Sequence, residues 1–297
     1  MIIVNLKGGL GNQMFQYALG HVLAAQTASA VACDLRFFRQ FNRVRPHGYV
    51  PRQQELSGFG IDVKEPSTWS LTRTFMIDPN YTRRQKLAYV LDKMGVHVIY
   101  ERQRTFESRV FRRRCSTIYL DGYWQSPQYF QAAPERVRAL YPLSVEDFDS
   151  LGLPRLGSKE VEEAICVNVR RSDFVGAKEH DCLPPDYYQC GLEVISLKAP
   201  RAQRVYFFSD DIDWCSKMFG ALRDVSFVRF PGCVHASVAY MNCMRQFKYF
   251  VIPNSTFAWW AAWLSNCPGK VVVAPRRWSG TLPETAVDIV PADWLTI

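Results

Sequence analysis

The sequence has no long apolar run, no Cys-x-x-Cys pair and no cysteine placed near a histidine at zinc-like spacing. A transmembrane helix needs roughly 18 consecutive apolar residues, so we expect no spanning segment. Met1 leads directly into the mainly apolar residues 2–6, without a basic region or a cleavage site, and we therefore predict no signal peptide. The nine cysteines are scattered along the chain, which predicts free thiols in a reducing cytoplasm.

The chain is long enough for two domains and carries an excess of positive charge. It has 297 residues, a net charge of +8 and an isoelectric point of about 9.0. This charge favours anionic partners such as nucleotides, nucleic acid or an anionic membrane surface. The glycine and proline in residues 150–154 predict a hinge. We therefore expect an N-terminal domain over residues 1–154 and a C-terminal domain over residues 155–297.

The N-terminal stretch predicts a strand, a glycine turn and a helix. Residues 2–6 favour a strand, residues 7–11 break it, and Asn12 can cap a helix with an apolar face. Such a turn presents backbone N–H groups to an anion or an oxygen-rich ligand. A dinucleotide fingerprint needs a third small residue for close packing of the helix on the strand. Met14 follows where that residue is expected, so a nicotinamide dehydrogenase is disfavoured.

The second half alternates between apolar strands and helices, which predicts a parallel sheet covered by helices. Three polar clusters follow predicted strands, at residues 168–173, 209–211 and 254–256. Ligands bind at the carboxyl ends of the strands in such a sheet, so we expect these clusters to meet at one site. Arg170 and Arg171 suit a phosphate group, because a guanidinium donates two parallel hydrogen bonds and keeps its charge.

Five segments of the chain carry recognisable motifs, and the most specific are GGLGNQMFQYA near the start and NSTFAWWAAWL near the end. The segments are residues 8–18, 122–126, 169–173, 208–211 and 254–264. Together they resemble the alpha-1,2-fucosyltransferase family, glycosyltransferase family 11. VRRSD resembles the His-x-Arg-Arg-x-Asp motif that several fucosyltransferase families share. The least family-like part lies between residues 35 and 115, where we expect the choice of acceptor to be made.

The resemblance implies a fold class and a reaction. The fold would be α/β and glycosyltransferase type B-like, with two Rossmann-like domains facing across a cleft and the nucleotide held by the C-terminal one. The reaction would be the inverting transfer of L-fucose from GDP-fucose to the 2-hydroxyl of a galactose in a glycan acceptor, without an obligatory metal or other cofactor. The acceptor would belong to a surface polysaccharide such as O-antigen, carried on a lipid diphosphate.

The resemblance also implies roles for the motif residues. Arg170 would contact the diphosphate and Asn12 would face the transferred sugar, which makes these two the catalytic candidates. Arg171 and Asp173 would brace Arg170. The predicted substrate-binding residues are Gly11, Gln13, Asn168, Arg171, Asp173, Ser209, Asp210, Asn254, Ser255, Thr256 and Phe257.

Within this set, Ser255 and Thr256 would bind the β-phosphate and Phe257 would line the guanine pocket. One departure from the family motif concerns Asn168, which stands where the family usually has histidine. An amide donates and accepts hydrogen bonds, so it can replace a histidine that contacts the nucleotide. It cannot replace a general base, and the departure therefore argues against a base at this position and leaves the base unassigned.

The residues leave two other functions open. Asp211 and Asp213 form an Asp-x-Asp sequence after a predicted strand, which is the metal signature of type A sugar transferases. We prefer the interpretation that they are acidic residues in the first turn of a helix, where the helix dipole favours them. The positive charge alone also fits a non-catalytic nucleic-acid-binding module, but the chain shows no nucleic-acid motif, and we expect no nucleic-acid partner.

Basic clusters at residues 83–86 and 112–114 have two interpretations. One interpretation is that they contact anionic lipid at the inner face of the cytoplasmic membrane, where each charge contributes about 1 kcal/mol. The other interpretation is that they are ordinary solvated arginines of a soluble cytoplasmic enzyme. Both interpretations predict a cytoplasmic location.

Overall fold

The computed structural model describes residues 1–40, 52–67, 95–112, 116–171, 182–232 and 236–297. The chain forms two compact units, of which the first ends at Tyr141 and the second runs from Pro142 to Ile297. Each unit is built on its own parallel β-sheet.

The first unit contains a four-stranded sheet with the order β2-β1-β4-β3. Its strands are β1 (Ile2–Asn5), β2 (Val31–Asp34), β3 (Val96–Tyr100) and β4 (Thr117–Asp121). The strand pairs are parallel. Because β2 lies on one side of β1 and the later strands lie on the other, the strand order reverses between β1 and β4.

The main helix of the first unit packs closely against this sheet. Among the residues of this unit that the structure describes, the helices are α1 (Leu10–Thr27), α2 (Arg36–Gln40) and α3 (Pro134–Leu140), with 3-10 turns at Leu56–Phe59, Ser108–Phe111 and Pro127–Tyr129. Phe15 and Leu19 of α1 lie in the core, as their spacing predicts. A β-carbon on Gly20 would lie 2.5 Å from Val4 Cγ2. Gly20 therefore permits the close contact of helix and strand.

Two helix starts differ from the prediction. Gly9 is already extended at the N-cap, so α1 begins at Leu10, and Asn12 lies in the first turn instead of capping the helix. The sequence after Ser126 predicts one helix that begins at Pro127 and continues toward Leu140, but the structure divides it into the turn Pro127–Tyr129 and the helix Pro134–Leu140. The second proline explains the division, because proline has no N–H and is accommodated at the first position of a helix but not inside one.

The acidic residue at the end of β2 is fully engaged by its neighbours. Arg36 Nε donates to both oxygens of Asp34 at 2.9 and 2.8 Å, and the Tyr119 hydroxyl donates at 2.8 Å. Burial alone would raise the pKa of Asp34, but the hydrogen bonds from Arg36 outweigh it and hold that pKa below its ordinary value. The Asp34 carboxylate is therefore already bound by other side chains of the protein, which agrees with the argument against a dinucleotide site.

The second unit contains a six-stranded sheet with the order β10-β9-β8-β5-β6-β7. Its strands are β5 (Ala164–Val169), β6 (Arg204–Ser209), β7 (Val225–Arg229), β8 (Tyr249–Val251), β9 (Val271–Ala274) and β10 (Leu295–Thr296). The strand pairs are parallel. Counted from β5, this is the 3-2-1-4-5-6 order of a Rossmann sheet, and it reverses between β5 and β8.

Helices connect these strands as the alternation of the sequence predicts. They are α4 (Ser158–Glu163), α5 (Pro185–Lys198), α6 (Ile212–Phe219), α7 (Ala236–Met244) and α8 (Thr256–Leu264), with a 3-10 turn at Glu284–Ala286. Val167 and Phe207 of the sheet share one core with Tyr188 and Ile195 of α5. The helices pack on the faces of the sheet, and the loops that follow the strands lie at the carboxyl ends of the strands.

The segment before Pro154 packs within the second unit. The guanidinium of Arg155 lies over the Phe148 ring at 5.7 Å. Gln246 Nε2 and Cys243 Sγ approach the Pro154 carbonyl oxygen at 3.2 and 3.4 Å. Because these contacts tie residues 142–154 to the second sheet, the unit boundary lies at Tyr141, whereas the sequence analysis places it after Pro154.

The described residues contain seven cysteines, and all are free thiols. The scatter of cysteines along the chain predicts this state. Within the described ranges, no helix combines the length and the apolar character that a membrane crossing requires.

Candidate functional site

The three polar clusters of the second half lie along the same edge of the second sheet. Arg170 follows β5, Asp210 follows β6, and Asn254 follows β8 just before α8. Because β5 is paired with both β6 and β8, their carboxyl ends are adjacent. The strand order reverses between β5 and β8, which is the point where open α/β sheets bind ligands.

Arg170 is the more exposed of the two arginines. Its Nη1 lies 3.0 Å from Asp210 Oδ2, and 29% of its side chain is exposed. Arg171 is held from several directions: its backbone N–H donates to Asp210 Oδ1 at 2.9 Å, and its Nε lies 3.1 Å from Asp211 Oδ2. Its guanidinium also lies 4.1 Å from the centre of the Trp214 ring.

This geometry gives the two arginines different surroundings. Arg171 is fixed by an ion pair, a backbone bond and a cation–π contact, which suits a bracing side chain. The bracing partner predicted from the motif, Asp173, lies outside the described residues. Asp210 and Asp211 are the carboxylates that the structure places against the pair.

Asn168 and Ser209 hold this edge together. Asn168 is buried, and its amide nitrogen donates to the Phe208 carbonyl oxygen at 3.1 Å, which joins β5 to β6. The Ser209 hydroxyl accepts from the Asp211 N–H at 2.9 Å, and the Ser209 N–H donates to the Tyr240 hydroxyl at 2.9 Å. Their polar groups therefore shape the turn that carries the two aspartates.

Asn254 is a buried amide without a hydrogen-bond partner among the described residues. Only 5% of the residue is exposed, and neither its Nδ2 nor its Oδ1 makes a bond. Leaving such a group unsatisfied costs about 1–3 kcal/mol. It lies just before the N-terminus of α8, where unpaired N–H groups and the helix dipole favour an anion.

The residues after Asn254 complete this helix start. Ser255 is the extended N-cap residue, but its side chain makes no capping bond, so capping does not account for its hydroxyl. Thr256 and Phe257 are partly buried at the first turn. The Phe257 ring lies 6.4 Å from that of Tyr240. Further along α8, Trp259 and Trp260 are fully buried.

Both carboxylates of the Asp-x-Asp sequence are paired with arginines, and one of them also caps a helix. Asp211 Oδ1 accepts from the Trp214 N–H at 3.2 Å and thereby caps α6. Its other oxygen is paired with Arg171, and Asp213 is paired with Arg229 at 2.7 Å. These are the contacts expected of acidic residues in a first helical turn, the interpretation preferred above.

The glycine motif forms the turn between β1 and α1 in the first unit. Gly8 has φ 79°, and a β-carbon there would lie 2.5 Å from Asn12 Nδ2. Gly11 and Gln13 are buried. The Gln13 amide donates to the carbonyl oxygens of Gly8 and Gln53 at 3.0 and 2.8 Å, and therefore braces the turn. Asn12 Oδ1 accepts from Gln125 Nε2 at 2.7 Å.

Sequence reasoning missed Trp214 beneath Arg171. It also missed the charged residues at the carboxyl ends of β1, β3 and β4 in the first unit, which are Lys7, Glu101 and Asp121. A strand ending in Asp121 is visible in the sequence, so the rule that ligands bind at carboxyl strand ends was a usable signal for that residue. No local pattern reveals Trp214, because its contact depends on β5 and β6 being neighbours.

Comparison of folds comes before comparison of sequences and defines the structural class of the protein. A mutant of FUT1 from Arabidopsis thaliana, solved in complex with GDP, shares the fold with a TM-score of 0.52 at 12% sequence identity, over 96% of this chain and 72% of that one. The predicted α/β, glycosyltransferase type B-like fold class is thereby confirmed.

The chain belongs to Glycosyl transferase family 11, because the sequence model of that family matches residues 81–297. The resemblance found in the motifs is confirmed. An Alpha-1,2-colitosyltransferase of Escherichia coli is 28% identical over 321 residues, which cover 100% of this chain and 99% of that protein. The O-antigen biosynthesis glycosyltransferase WbnK of Escherichia coli is 29% identical over 291 residues, covering 92% and 93%.

Proposed function

We propose that the protein is an inverting galactoside α-1,2-fucosyltransferase that moves L-fucose from GDP-fucose to the 2-hydroxyl of a galactose in a surface-polysaccharide acceptor. The observation that carries the proposal is the buried, unpartnered amide of Asn254 at the start of α8. It follows β8, the neighbour of the strand that leads to Arg170. An arginine, a helix N-terminus and an unsatisfied amide together fit a diphosphate. The relation to an O-antigen glycosyltransferase supports the polysaccharide role.

The chemistry follows from where charge develops. The bond from C1 of fucose to the β-phosphate oxygen breaks, and GDP leaves with its electron pair. Arg170 and the α8 N-terminus are fixed donors that stabilise the negative charge growing on that phosphate. The sugar passes through an oxocarbenium-like state, and the galactose 2-hydroxyl attacks C1 from the opposite face, which inverts the configuration.

A matrix of donors and acceptors tests this proposal. GDP-fucose, GDP-mannose and UDP-galactose are each supplied with a β-galactoside or a β-glucoside, and the transferred sugar is measured. We expect product from GDP-fucose and the galactoside only. A lack of product from that pair contradicts the proposal. Salt-sensitive binding of nucleic acid without any preference for a sugar nucleotide would favour the binding-module alternative.

One observation makes GDP-colitose the alternative donor. The relative that matches the whole chain is named an Alpha-1,2-colitosyltransferase, and colitose is L-fucose without its 3-hydroxyl. A site that hydrogen-bonds this hydroxyl discriminates strongly against the deoxy sugar, because its polar partners are otherwise left unpaired. The ratio of kcat/KM for GDP-fucose and GDP-colitose decides between the donors: we expect fucose to be preferred, and the reverse ratio would assign colitose.

We predict that turnover persists in excess EDTA. Arginine takes the role at the leaving diphosphate that a divalent cation has in other sugar transferases, and Asp211 and Asp213 are each paired with an arginine. Among the described residues, no group of three or more His, Cys, Asp or Glu side chains has metal-binding geometry. Initial rates before and after chelation provide the measurement. Loss of activity that manganese restores would instead make Asp211 and Asp213 metal ligands.

We further propose peripheral contact with anionic lipid through the basic clusters, since the acceptor is expected on a lipid diphosphate. Arg112 is exposed, whereas residues 83–86, 113 and 114 lie outside the described ranges. We predict co-sedimentation with anionic vesicles only, released by salt and weakened when Arg112, Arg113 and Arg114 are replaced by Gln. Equal recovery in the supernatant with anionic and neutral vesicles at low salt would leave the solvated-arginine interpretation.

A further inference from the structure

A second carboxyl edge, in the first unit, carries a charged pair at the point where the strand order reverses between β1 and β4. Asp121 ends β4, and Lys7 follows β1. Lys7 Nζ donates to Asp121 Oδ1 at 2.8 Å, and Asn5 Nδ2 donates to the same oxygen at 3.1 Å. The Asp121 side chain is 8% exposed. Its other oxygen, Oδ2, makes no hydrogen bond within the part of the chain that the structure describes.

The turn after β4 is strained and is held by a second carboxylate. Trp124 has φ 56°, a conformation that is unfavourable for a bulky residue and that occurs most often at functional sites. The Glu101 oxygens accept from the N–H groups of Tyr123 and Trp124 at 2.7 and 2.8 Å. Trp124 is fully buried, and its Nε1 has no partner among the described residues. A β-carbon on Gly122 would lie 2.7 Å from Trp124 Cε2.

The groups at this edge suit a neutral, hydroxyl-rich ligand. The charge of Lys7 is met by Asp121, and its ammonium lies 5.0 Å from the centre of the partly exposed Tyr123 ring. Asn12 and Gln125, joined at 2.7 Å, add two amides. A carboxylate oxygen, amides and an aromatic face bind sugar hydroxyls and a sugar ring, whereas the edge of the second unit has the arginines that a phosphate needs.

We propose that Asp121 is a catalytic residue that takes the proton of the acceptor hydroxyl; this proposal rests on the proposed function. As the bond from the galactose O2 to C1 of fucose forms and the bond from C1 to the phosphate oxygen breaks, the O2 proton passes to Asp121 Oδ2. The carboxyl group returns the proton to water after product release. Lys7 and Asn5 are positioning residues that fix Oδ1 and leave Oδ2 for the acceptor.

The substitution Asp121→Asn tests this role with little change in shape. The amide oxygen can still accept from Lys7 and Asn5, but the other position can no longer take a proton. We expect kcat for transfer to fall about 100-fold or more, the usual contribution of a general base. The affinity for GDP should stay within a few-fold, and the acidic limb of the kcat pH profile should disappear.

Asp34→Asn is the matched control, because Asp34 is also a buried carboxylate and lies at the end of β2 in the same sheet. Its loss should lower the melting temperature, since its low pKa reflects stabilising bonds to Arg36. Transfer by the folded Asp34→Asn protein should remain within a few-fold of the parent.

Four outcomes overturn the proposal. Asp121→Asn within a few-fold of the parent, or a loss of rate with an unchanged pH profile, would make Asp121 a structural brace only. If the Asp121→Asn variant does not fold, the pH profile of the parent protein provides the test. A parental kcat that shows no acidic limb would exclude a carboxylate base. A parent that transfers no fucose at all refutes the proposed function itself, and the inference about Asp121 fails with it.

Discussion

Replacing Arg170 by lysine is expected to lower kcat about 100-fold or more, the scale for removing one preorganised donor at a developing charge. Lysine keeps the positive charge and can keep the ion pair with Asp210, which lies at 3.0 Å in the parent. It loses the planar fork that donates two parallel hydrogen bonds to a phosphate. The melting temperature should therefore change little while turnover collapses. Steady-state kinetics with GDP-fucose and a β-galactoside measure the effect.

Arg229→Lys supplies the matched control for this substitution. Arg229 ends β7 in the same sheet and is paired with Asp213 at 2.7 Å, but it is exposed and lies away from the β5–β8 reversal. An exposed ion pair of this kind contributes little, and the control should keep near-parental turnover. Equal kinetics for Arg170→Lys and the parent would withdraw Arg170 from the reaction.

Replacing Asn254 by leucine is expected to weaken donor binding, whereas the free energy of unfolding stays the same or rises. The two side chains are similar in size, and leucine has no polar group to leave unsatisfied. The free energy of unfolding should stay the same or rise, because the buried amide costs about 1–3 kcal/mol. Affinity for GDP should fall roughly 10- to 100-fold, since a hydrogen bond to a charged group is worth about 1.5–3 kcal/mol. Thermal melting and calorimetric titration with GDP report the two effects.

Asn242→Leu is the comparison that separates these effects. Asn242 is also buried, but its oxygen accepts from Arg245 Nη1 at 3.5 Å. Leucine at this position should lower the melting temperature without a comparable change in GDP affinity. If Asn254→Leu destabilised the protein as much and bound GDP as tightly as the parent, the amide would be a structural group and the argument for a diphosphate at α8 would fail.

The helices and strands of the second unit are largely predictable, because the local sequence patterns agree with the order of strands and helices in a parallel sheet. Pro185 predicts the start of a helix that ends near Lys198, and the structure has this helix at Pro185–Lys198, where Tyr188 and Ile195 are buried. By contrast, the strand Val96–Tyr100 of the first unit was not predicted. Its neighbourhood is rich in arginine and aromatic residues, so no clean period-2 pattern stands out from the surrounding sequence. The two-residue strand Leu295–Thr296 is too short for any pattern.

The site was predictable in position but not in its contacts. The rule for carboxyl strand ends places Arg170, Asp210 and Asn254 on one edge, and the structure brings them to adjacent strands. The pairing of Arg171 with Trp214 and of Lys7 with Asp121 depends on which strands are neighbours, and a linear sequence does not state that order. The substrate roles of these residues stay predictions that the substitutions above test.

The position and configuration of the new glycosidic bond test the central claim most directly. The protein is incubated with GDP-fucose and a β-galactoside, the product is purified, and its linkage is determined by two-dimensional NMR. Our account predicts an α-linked L-fucose with a through-bond correlation from its anomeric proton to C2 of galactose. A β-linked fucose, a bond to another carbon of the acceptor, or free fucose as the sole product would contradict it.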